Sequence, residues 1–241
     1  MKITVTKNHE EMSAEAAKII AEVIKAKPDC TLGLATGGTP VRTYEILADM
    51  VSKGRLSFSR VSSVNLDEYY PISPENPQSY RYFMNENLFD RVDIDKSRTF
   101  VPDGNAEDVE AACAAHERKI DELGIDIQIL GIGRNGHIGF NEPDGELVRY
   151  THLTALTEDT INANARFFRS EAEVPRHAVT MGIASVFKAK KILLLASGKN
   201  KAEAIRTVVS GGITTDCPAS LLCLHPDVTV ICDEDAYSAV K

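Results

Sequence analysis

Short apolar runs alternate with amphipathic helical patterns along the whole 241-residue chain. The runs expected to be strands lie at residues 2–6, 30–35, 61–66, 125–130, 191–196 and 228–232. Strands separated by helices form βαβ units, which build a parallel sheet covered on both faces. We therefore predict an α/β fold with a single open, mostly parallel sheet and helices on both faces, a Rossmann-like three-layer sandwich. No linker-like stretch interrupts the pattern, so residues 1–241 are expected to form one domain.

N-cap patterns in the sequence indicate where the first two helices between these strands begin. Asn8 followed by Glu11 resembles a capping box and predicts the start of the first helix. The second helix is predicted to have Thr39 as its N-cap and Pro40 at its first position, and to end near Gly54. Further helices are expected at residues 78–89, 106–123 and 201–209.

Composition narrows the classes of partner. A net charge of −8 and a pI of about 5.3 argue against nucleic acid or an anionic membrane as the partner. The N-terminus lacks the apolar segment of a signal peptide, and no apolar run approaches the ~20 residues of a membrane span. The five cysteines are scattered and none has C-x-x-C or zinc-site spacing, which favours reduced thiols. The expected location is the cytoplasm.

Ligands of open parallel sheets bind beyond the carboxyl ends of the strands. The loops expected there are 36–40, 67–78, 131–143 and 197–201. The first reads "TGGTP" directly before a helix, so backbone N–H groups and the helix dipole favour an anion at Thr36, Gly37, Gly38 and Thr39. A tight turn between strand and helix explains the same letters equally well. The loop has no lysine and is not a Walker A motif.

The stretch "GIGRNGHIGFNEP" at residues 131–143 contains the dinucleotide pattern G-x-G-x-x-G. That pattern requires a helix after its last glycine, and the glycine and proline that follow make one unfavourable here. We therefore interpret the loop as presenting His137 and Glu142, a spacing that suits a carboxylate orienting an imidazole. The spacing does not suit a metalloprotease, and no metal site is predicted. The stretch "GLATGG" at residues 33–38 keeps a nucleotide site open as an alternative.

Three further side chains are candidates. Asp67 follows the third strand and offers a carboxylate where a general base would be useful. Arg166 lies in a polar stretch that could form a flap, and Lys201 stands at a helix start, where a cation is unfavourable without an anionic partner. Asp67 and Lys201 also have a simpler explanation as solvated surface residues.

Taken together, the motifs resemble the glucosamine-6-phosphate deaminase family. The matching segments are "LATGGTP", "NLDEY", "NGHIGFNEP", "NARFF" and "GKNKA", and they span nearly the whole chain in the family's order. The resemblance implies conversion of glucosamine 6-phosphate and water to fructose 6-phosphate and ammonia, with no cofactor. It also implies that the partner is this small molecule, and not a nucleic acid or a membrane.

The resemblance assigns roles to the residues that match. Asp67 would move the proton between C2 and C1, His137 would open the sugar ring, and Glu142 would hold and polarise His137. The segment 156–177 would act as a lid. The phosphate would be held by Thr36, Gly37, Gly38, Thr39, Arg166 and Lys201.

Two departures from the family pattern matter. Asn135 stands where well-known members have Asp, which removes a charge beside His137 and predicts a shifted pH profile. The chain is also shorter than the hexameric, effector-regulated relatives, and the segment that carries basic effector-binding residues in them reads "YTHLT" at 150–154. A monomer or small homo-oligomer is expected instead of a hexamer, without effector regulation.

Other functions stay open at this point. A 6-phosphogluconolactonase would share the fold and a Gly-His loop, although that family continues from the histidine into a Ser-Leu-Phe-Pro-like run. A non-catalytic sugar-phosphate sensor would not need Asp67, His137 and Glu142 together. A dinucleotide-dependent enzyme requires the helix that we do not expect after Gly136.

Overall fold

The computed structural model describes residues 1–165, 168, 170 and 173–240. The strands described are β1 (Lys2–Thr6), β2 (Thr31–Leu34), β3 (Ser62–Asn65), β4 (Asp67–Tyr70), β5 (Thr99–Phe100), β6 (Ile127–Leu130), β7 (His152–Ala155), β8 (His177–Thr180), β9 (Ile192–Ala196) and β10 (Val228–Asp233). The α-helices described are α1 (His9–Ala26), α2 (Gly38–Ser52), α3 (Tyr80–Asn87), α4 (Val109–Leu123), α5 (Glu158–Ala165), α6 (Ile183–Phe187), α7 (Ala202–Val209) and α8 (Glu234–Tyr237).

Seven strands form one central sheet in the order β1-β10-β9-β6-β2-β3-β5, and each neighbouring pair is parallel. Successive residues of the inner strands point to opposite faces, so Ile192 and Leu194 join one apolar core while Leu193 and Leu195 join the other. Helices α1 and α2 cover one face, and α4 and α7 cover the other. The predicted parallel sheet with helices on both faces is confirmed.

A smaller antiparallel sheet with the order β4-β8-β7 packs beside the central one, and it was not predicted. The stretch at 67–78, predicted as a loop, therefore begins as a strand, with Asp67 paired to Thr180. A third apolar cluster, which includes Tyr69, Phe140 and Ile161, lies under this sheet. The partner strand lies far along the chain, which is why local sequence signals did not reveal the pairing.

The start of α1 was predicted correctly and the start of α2 was not. Asn8 Oδ1 accepts a hydrogen bond from the Glu11 backbone N–H at 3.0 Å. Helix α2 begins at Gly38 with Gly37 as its N-cap, so Thr39 lies inside the first turn. Gly37 has φ of +87°, a conformation that glycine adopts without strain. None of the described helices combines the length and apolar character needed to cross a membrane.

Candidate active site

A cleft of about 600 Å³ opens at the carboxyl edge of β2, β3 and β6. The predicted site residues that line it are Thr36, Gly37, Gly38, Thr39, Asp67, Asn135, His137 and Lys201. Glu142 does not line the cleft, and its carboxylate instead contacts Nδ1 of the His137 ring. Arg166 lies outside the described residues. The structure thus brings loops from separate parts of the chain to one sheet edge, as expected for open parallel sheets.

The Asp67 side chain is the most unusual carboxyl group of the cleft. The residue is only 7% exposed, and among the described residues none donates a hydrogen bond to its carboxylate. Burial, together with the negative charge of Glu68, raises the pKa of Asp67 to about 8. A carboxylate with a pKa near neutrality is a stronger base than an exposed one, which suits it to remove a proton from a bound molecule.

Glu68 lies beside Asp67 but has a different environment. Its carboxylate accepts hydrogen bonds from the backbone N–H groups of Tyr69, Tyr80 and Arg81, at 2.9, 2.7 and 2.8 Å. Burial raises the pKa of Glu68 to about 7, although these bonds oppose the shift. Because two of the donors open α3, Glu68 fixes this helix with Tyr80 against the cleft.

His137 and Glu142 form a hydrogen-bonded pair. His137 Nδ1 donates to Glu142 Oε2 at 3.0 Å. Asn135 Nδ2 donates to the same oxygen at 2.7 Å, and Thr160 Oγ1 donates to Oε1 at 2.6 Å. Burial would raise the pKa of Glu142, but hydrogen bonds and the charge of His137 lower it to about 2. Glu142 is therefore ionised at neutral pH, and His137 keeps its Nε2 for a molecule in the cleft.

The structure explains why asparagine is suitable at position 135. Its amide NH₂ donates to Glu142 while its carbonyl oxygen accepts from the His137 backbone N–H at 3.2 Å. An aspartate in this conformation would place one carboxylate directly against another, which is unfavourable. Asn135 thus fixes the loop and the carboxylate together without adding charge.

The glycines of this loop bring the backbone close to the imidazole. A Cβ at Gly133 would lie 2.4 Å from the His137 ring, so only glycine lets the ring lie against the chain here. After Gly136, which has φ of +86°, a bridge joins Ile138 to Asn141, and no helix forms in residues 131–145. The dinucleotide interpretation is therefore wrong for this loop.

The first turn of α2 also lines the cleft. Gly37 caps the helix without a side-chain hydrogen bond, which leaves the N–H groups of the turn for a ligand. His9 Nε2 donates to the Thr39 carbonyl at 3.0 Å, and Arg42 pairs with Glu10 at 2.7 Å. Two contacts from α1 therefore hold this turn in place.

Two cations, Lys201 and Arg134, line the same cleft. Lys201 is half-buried, and both burial and the positive charge of Arg134 lower its pKa. Neither cation forms an ion pair with an acidic residue in the described parts of the chain. Like charges placed together in a cleft are unfavourable unless an anion joins them, and the helix terminus that lines the same cleft also attracts negative charge. The cleft is therefore suited to an anionic ligand.

Three residues of the site were not identified from the sequence. Arg134 lines the cleft but was interpreted only as a variable position of a nucleotide pattern, although a cation between glycines in a strand-end loop was a usable signal. Tyr80 and Thr160 also line the cleft, from α3 and α5. Their segments carry no local pattern that distinguishes them from ordinary helical residues.

Comparisons with known proteins identify the family of the chain. The family described as "Glucosamine-6-phosphate isomerases/6-phosphogluconolactonase" matches residues 6–231. A glucosamine-6-phosphate deaminase of Thermoanaerobacter pseudethanolicus is 55% identical over 241 residues, all of this chain and 95% of that one. A deaminase of Clostridium perfringens is 56% identical over 242 residues and the full length of both chains.

Solved structures give the same result. A structure described as a monomeric glucosamine-6-phosphate deaminase superimposes with a TM-score of 0.96 at 51% identity, covering 99% of this chain and 100% of that one. A 6-phosphogluconolactonase from Leishmania guyanensis has a TM-score of 0.74 at 22% identity, covering 100% and 98%, which supports the shared fold alone. The chain therefore belongs to the glucosamine-6-phosphate isomerase/6-phosphogluconolactonase family, and the relatives at 55% and 56% identity over its full length are deaminases.

Proposed function

We propose that this chain is a glucosamine-6-phosphate deaminase that converts glucosamine 6-phosphate and water to fructose 6-phosphate and ammonia. One observation carries the proposal. A single cleft is lined by a buried carboxylate, Asp67, by an imidazole that Glu142 orients, His137, and by the helix N-terminus and cations of an anion site. An aldose-to-ketose conversion needs a base, a proton-transfer group for ring opening and an anchor for the phosphate. Relatives of that name, at 55% and 56% identity, support the choice of substrate.

Ring opening is the proposed task of His137. With Nδ1–H donated to Glu142, Nε2 carries a lone pair that accepts the proton of the O1 hydroxyl. The same nitrogen then delivers a proton to the ring oxygen O5 as the C1–O5 bond breaks. The ionised Glu142 stabilises the imidazolium that exists between these two transfers. The product is the open-chain amino aldose.

Asp67 carries the next step in the proposal. Its carboxylate removes the C2 proton of the open-chain aldose as the C1 carbonyl gains a proton, and it then returns a proton to C1. The amine is left as an imine at C2, and water adds to that carbon and releases ammonia and fructose 6-phosphate. The raised pKa of Asp67 supports this role, and the substrate's ammonium group favours ionisation of the carboxylate on binding.

The phosphate is proposed to bind at the first turn of α2. Thr36, Gly37, Gly38 and Thr39 supply N–H and hydroxyl donors, and Lys201 supplies charge. We add Arg134 to this set on the basis of its position beside Lys201, and we retain Arg166 and a lid over residues 156–177 as proposals. Binding energy from the phosphate helps to align C1 and C2 with the catalytic groups.

We also propose that the enzyme acts as a monomer in the cytoplasm and uses neither a metal nor a redox cofactor. The similar structure is described as monomeric, which supports the first point. Every step of the proposed reaction is a proton transfer or a hydrolysis, so the chemistry requires no change of oxidation state at a cofactor.

The function is tested by incubating the protein with glucosamine 6-phosphate and measuring ammonia and fructose 6-phosphate in equal amounts. 6-Phosphogluconolactone serves as the comparison substrate. Absence of ammonia between pH 6 and about pH 9, where Asp67 passes through its ionisation, would contradict the proposal. Hydrolysis of the lactone without deamination would favour the other activity named for the family.

The proposed phosphate site predicts the effect of Lys201→Gln. Loss of the cation should raise KM by about 10- to 100-fold while kcat changes less, because the charge contacts the phosphate and not the reacting carbons. Steady-state kinetics with glucosamine 6-phosphate measures both constants. Lys25→Gln on the exposed last turn of α1 is the matched control and should leave KM unchanged. An unchanged KM in the Lys201 variant would remove Lys201 from the phosphate site.

The environment of Asn135 predicts the effect of Asn135→Asp. A new negative charge in the cleft stabilises the protonated form of every neighbouring titratable group, Asp67 and Glu142 included. The acid limb of the kcat/KM profile should therefore move to higher pH, while activity at the new optimum stays within about 10-fold of the parent. Asn135→Ser, which adds no charge, is the control. Superimposable profiles for the parent and the Asp variant would contradict this electrostatic explanation.

A further inference from the structure

The hydroxyl of Thr160 contacts the side of Glu142 that faces away from His137. Thr160 lies in α5 and lines the cleft, and its Oγ1 donates to Glu142 Oε1 at 2.6 Å. The other oxygen, Oε2, already accepts from His137 and Asn135. Within the described parts of the chain, Thr160 is the one donor to Oε1. Among the described residues, the position of the second carboxylate oxygen, and with it the plane of the group, is thus set by this hydroxyl.

A second threonine fixes the direction of that hydroxyl. Thr157 Oγ1 donates to Thr160 Oγ1 at 3.1 Å and accepts the Thr160 backbone N–H at 3.3 Å. Since the ionised Glu142 can only accept, the Thr160 proton must point to Oε1, and its oxygen is free to accept from Thr157. The hydrogen bonds run in one direction, from Thr157 through Thr160 to Glu142, and each bond polarises the next.

We propose that Thr160 is a positioning residue that, through Glu142, orients His137 for ring opening. The expected change in kcat rests on the proposed function, whereas the orientation of Glu142 and His137 by Thr160 does not. Glu142 is largely enclosed, with an 11% exposed side chain, so water does not readily replace a missing donor to Oε1. Without the hydroxyl, the carboxylate can rotate about its remaining contacts, and the Nδ1–H bond of His137 loses its fixed direction.

Kinetics of Thr160→Val tests the inference, because valine keeps the shape and removes the hydroxyl. We expect kcat to fall by about 10-fold and KM to stay within about threefold, since the phosphate contacts lie elsewhere. Thr160→Ser should restore kcat to within about twofold of the parent. Thr154→Val on β7, whose hydroxyl reaches only the Ala155 carbonyl at 3.4 Å, is the control and should behave as the parent.

Two further measurements separate positioning from a general structural effect. In a Glu142→Ala background, Thr160→Val should cause less than about a twofold additional loss, because no side-chain oxygen remains at position 142 to accept from Thr160. In the ligand-free protein, the hydrogen-bonded Nδ1–H proton resonance of His137, assigned by its absence in His137→Gln, should shift or broaden in Thr160→Val but not in Thr154→Val.

The outcomes distinguish this inference from the proposed function. A parent protein that releases no ammonia while the His137 resonance still responds to Thr160→Val would refute the function and keep the positioning role. Parent-like kcat, failure of Thr160→Ser to rescue, additive losses with Glu142→Ala, or an unmoved His137 resonance would each overturn the role of Thr160.

Discussion

Asp67→Asn should lower kcat for deamination by about a thousandfold and should also make the folded protein more stable at neutral pH. The loss of activity follows from removal of the one buried carboxylate that lines the cleft within the described residues. An amide of nearly the same shape cannot accept the C2 proton. Binding should persist, because the phosphate donors are unaffected, and inhibition by a phosphate analogue measures this.

The gain in stability follows from the pKa of the same group. The folded protein raises the pKa of Asp67 from its ordinary value of 3.8 to about 8, so it binds this proton more tightly than the unfolded chain does. Where the folded state holds more protons, stability falls as pH rises, here between about pH 4 and pH 8. Asn cannot ionise, so the stability of the variant should fall less than that of the parent as pH rises.

Thermal unfolding at a series of pH values measures the effect. The Tm of Asp67→Asn should exceed that of the parent at pH 8 and approach it near pH 4. Asp90→Asn, which removes an exposed aspartate paired with Lys96, is the control and should show no such gain. An Asp67 variant that is less stable than the parent at pH 8 would mean that Asp67 is a structural residue with a satisfied carboxylate.

His137→Gln should have the second-largest effect, a fall in kcat of about a hundredfold, because ring opening loses its proton-transfer group. Glutamine keeps a donor that can reach Glu142 and removes the titratable nitrogen that faces the cleft. Spontaneous ring opening of the sugar still supplies some open-chain substrate, so the loss should be smaller than for Asp67→Asn. Inhibition by an acyclic amino-alditol phosphate, which needs no ring opening, should be retained.

An isotope effect identifies which step the His137 variant slows. Substrate deuterated at C2 should react more slowly than ordinary substrate in the parent if C2 proton removal contributes to the rate. In His137→Gln, ring opening becomes limiting and the difference should diminish. A larger isotope effect in the variant would instead assign His137 to proton transfer at carbon, and the roles of His137 and Asp67 would need revision.

The sequence predicted the parts of the fold that depend on local pattern. Strand β9 is a continuous apolar run because both of its faces are covered, and Asn8 carried its own capping signal. Strand β4 was missed because its partner β8 lies far along the chain, and the pairing becomes visible only in three dimensions. The start of α2 was misplaced because a positive-φ glycine, and not a threonine side chain, ends the loop.

In the candidate site, too, local sequence pattern predicted some residues, while contacts between distant parts of the chain determined the rest. Asp67, His137 and Glu142 could be predicted as members of the candidate site because they follow β3 and β6 at the carboxyl edge of the sheet, where their residue types are informative. The role of Asn135 as a donor to Glu142, and the contact of Thr160 with the same carboxylate, required coordinates. The raised pKa of Asp67 could not be predicted either, because it arises from burial and from the charge of Glu68.

Proton transfer at C2 of glucosamine 6-phosphate tests the central claim most directly. The parent and Asp67→Asn should each be incubated with glucosamine 6-phosphate in heavy water, and the C2 and C1 positions of substrate and product followed by NMR together with ammonia release. We predict that the parent forms ammonia and fructose 6-phosphate with hydrogen transferred to, or deuterium incorporated at, C1. Asp67→Asn should show neither product nor exchange at C2 while still binding a phosphate analogue. Exchange at C2 by Asp67→Asn at the parental rate would contradict the assignment of Asp67 as the base.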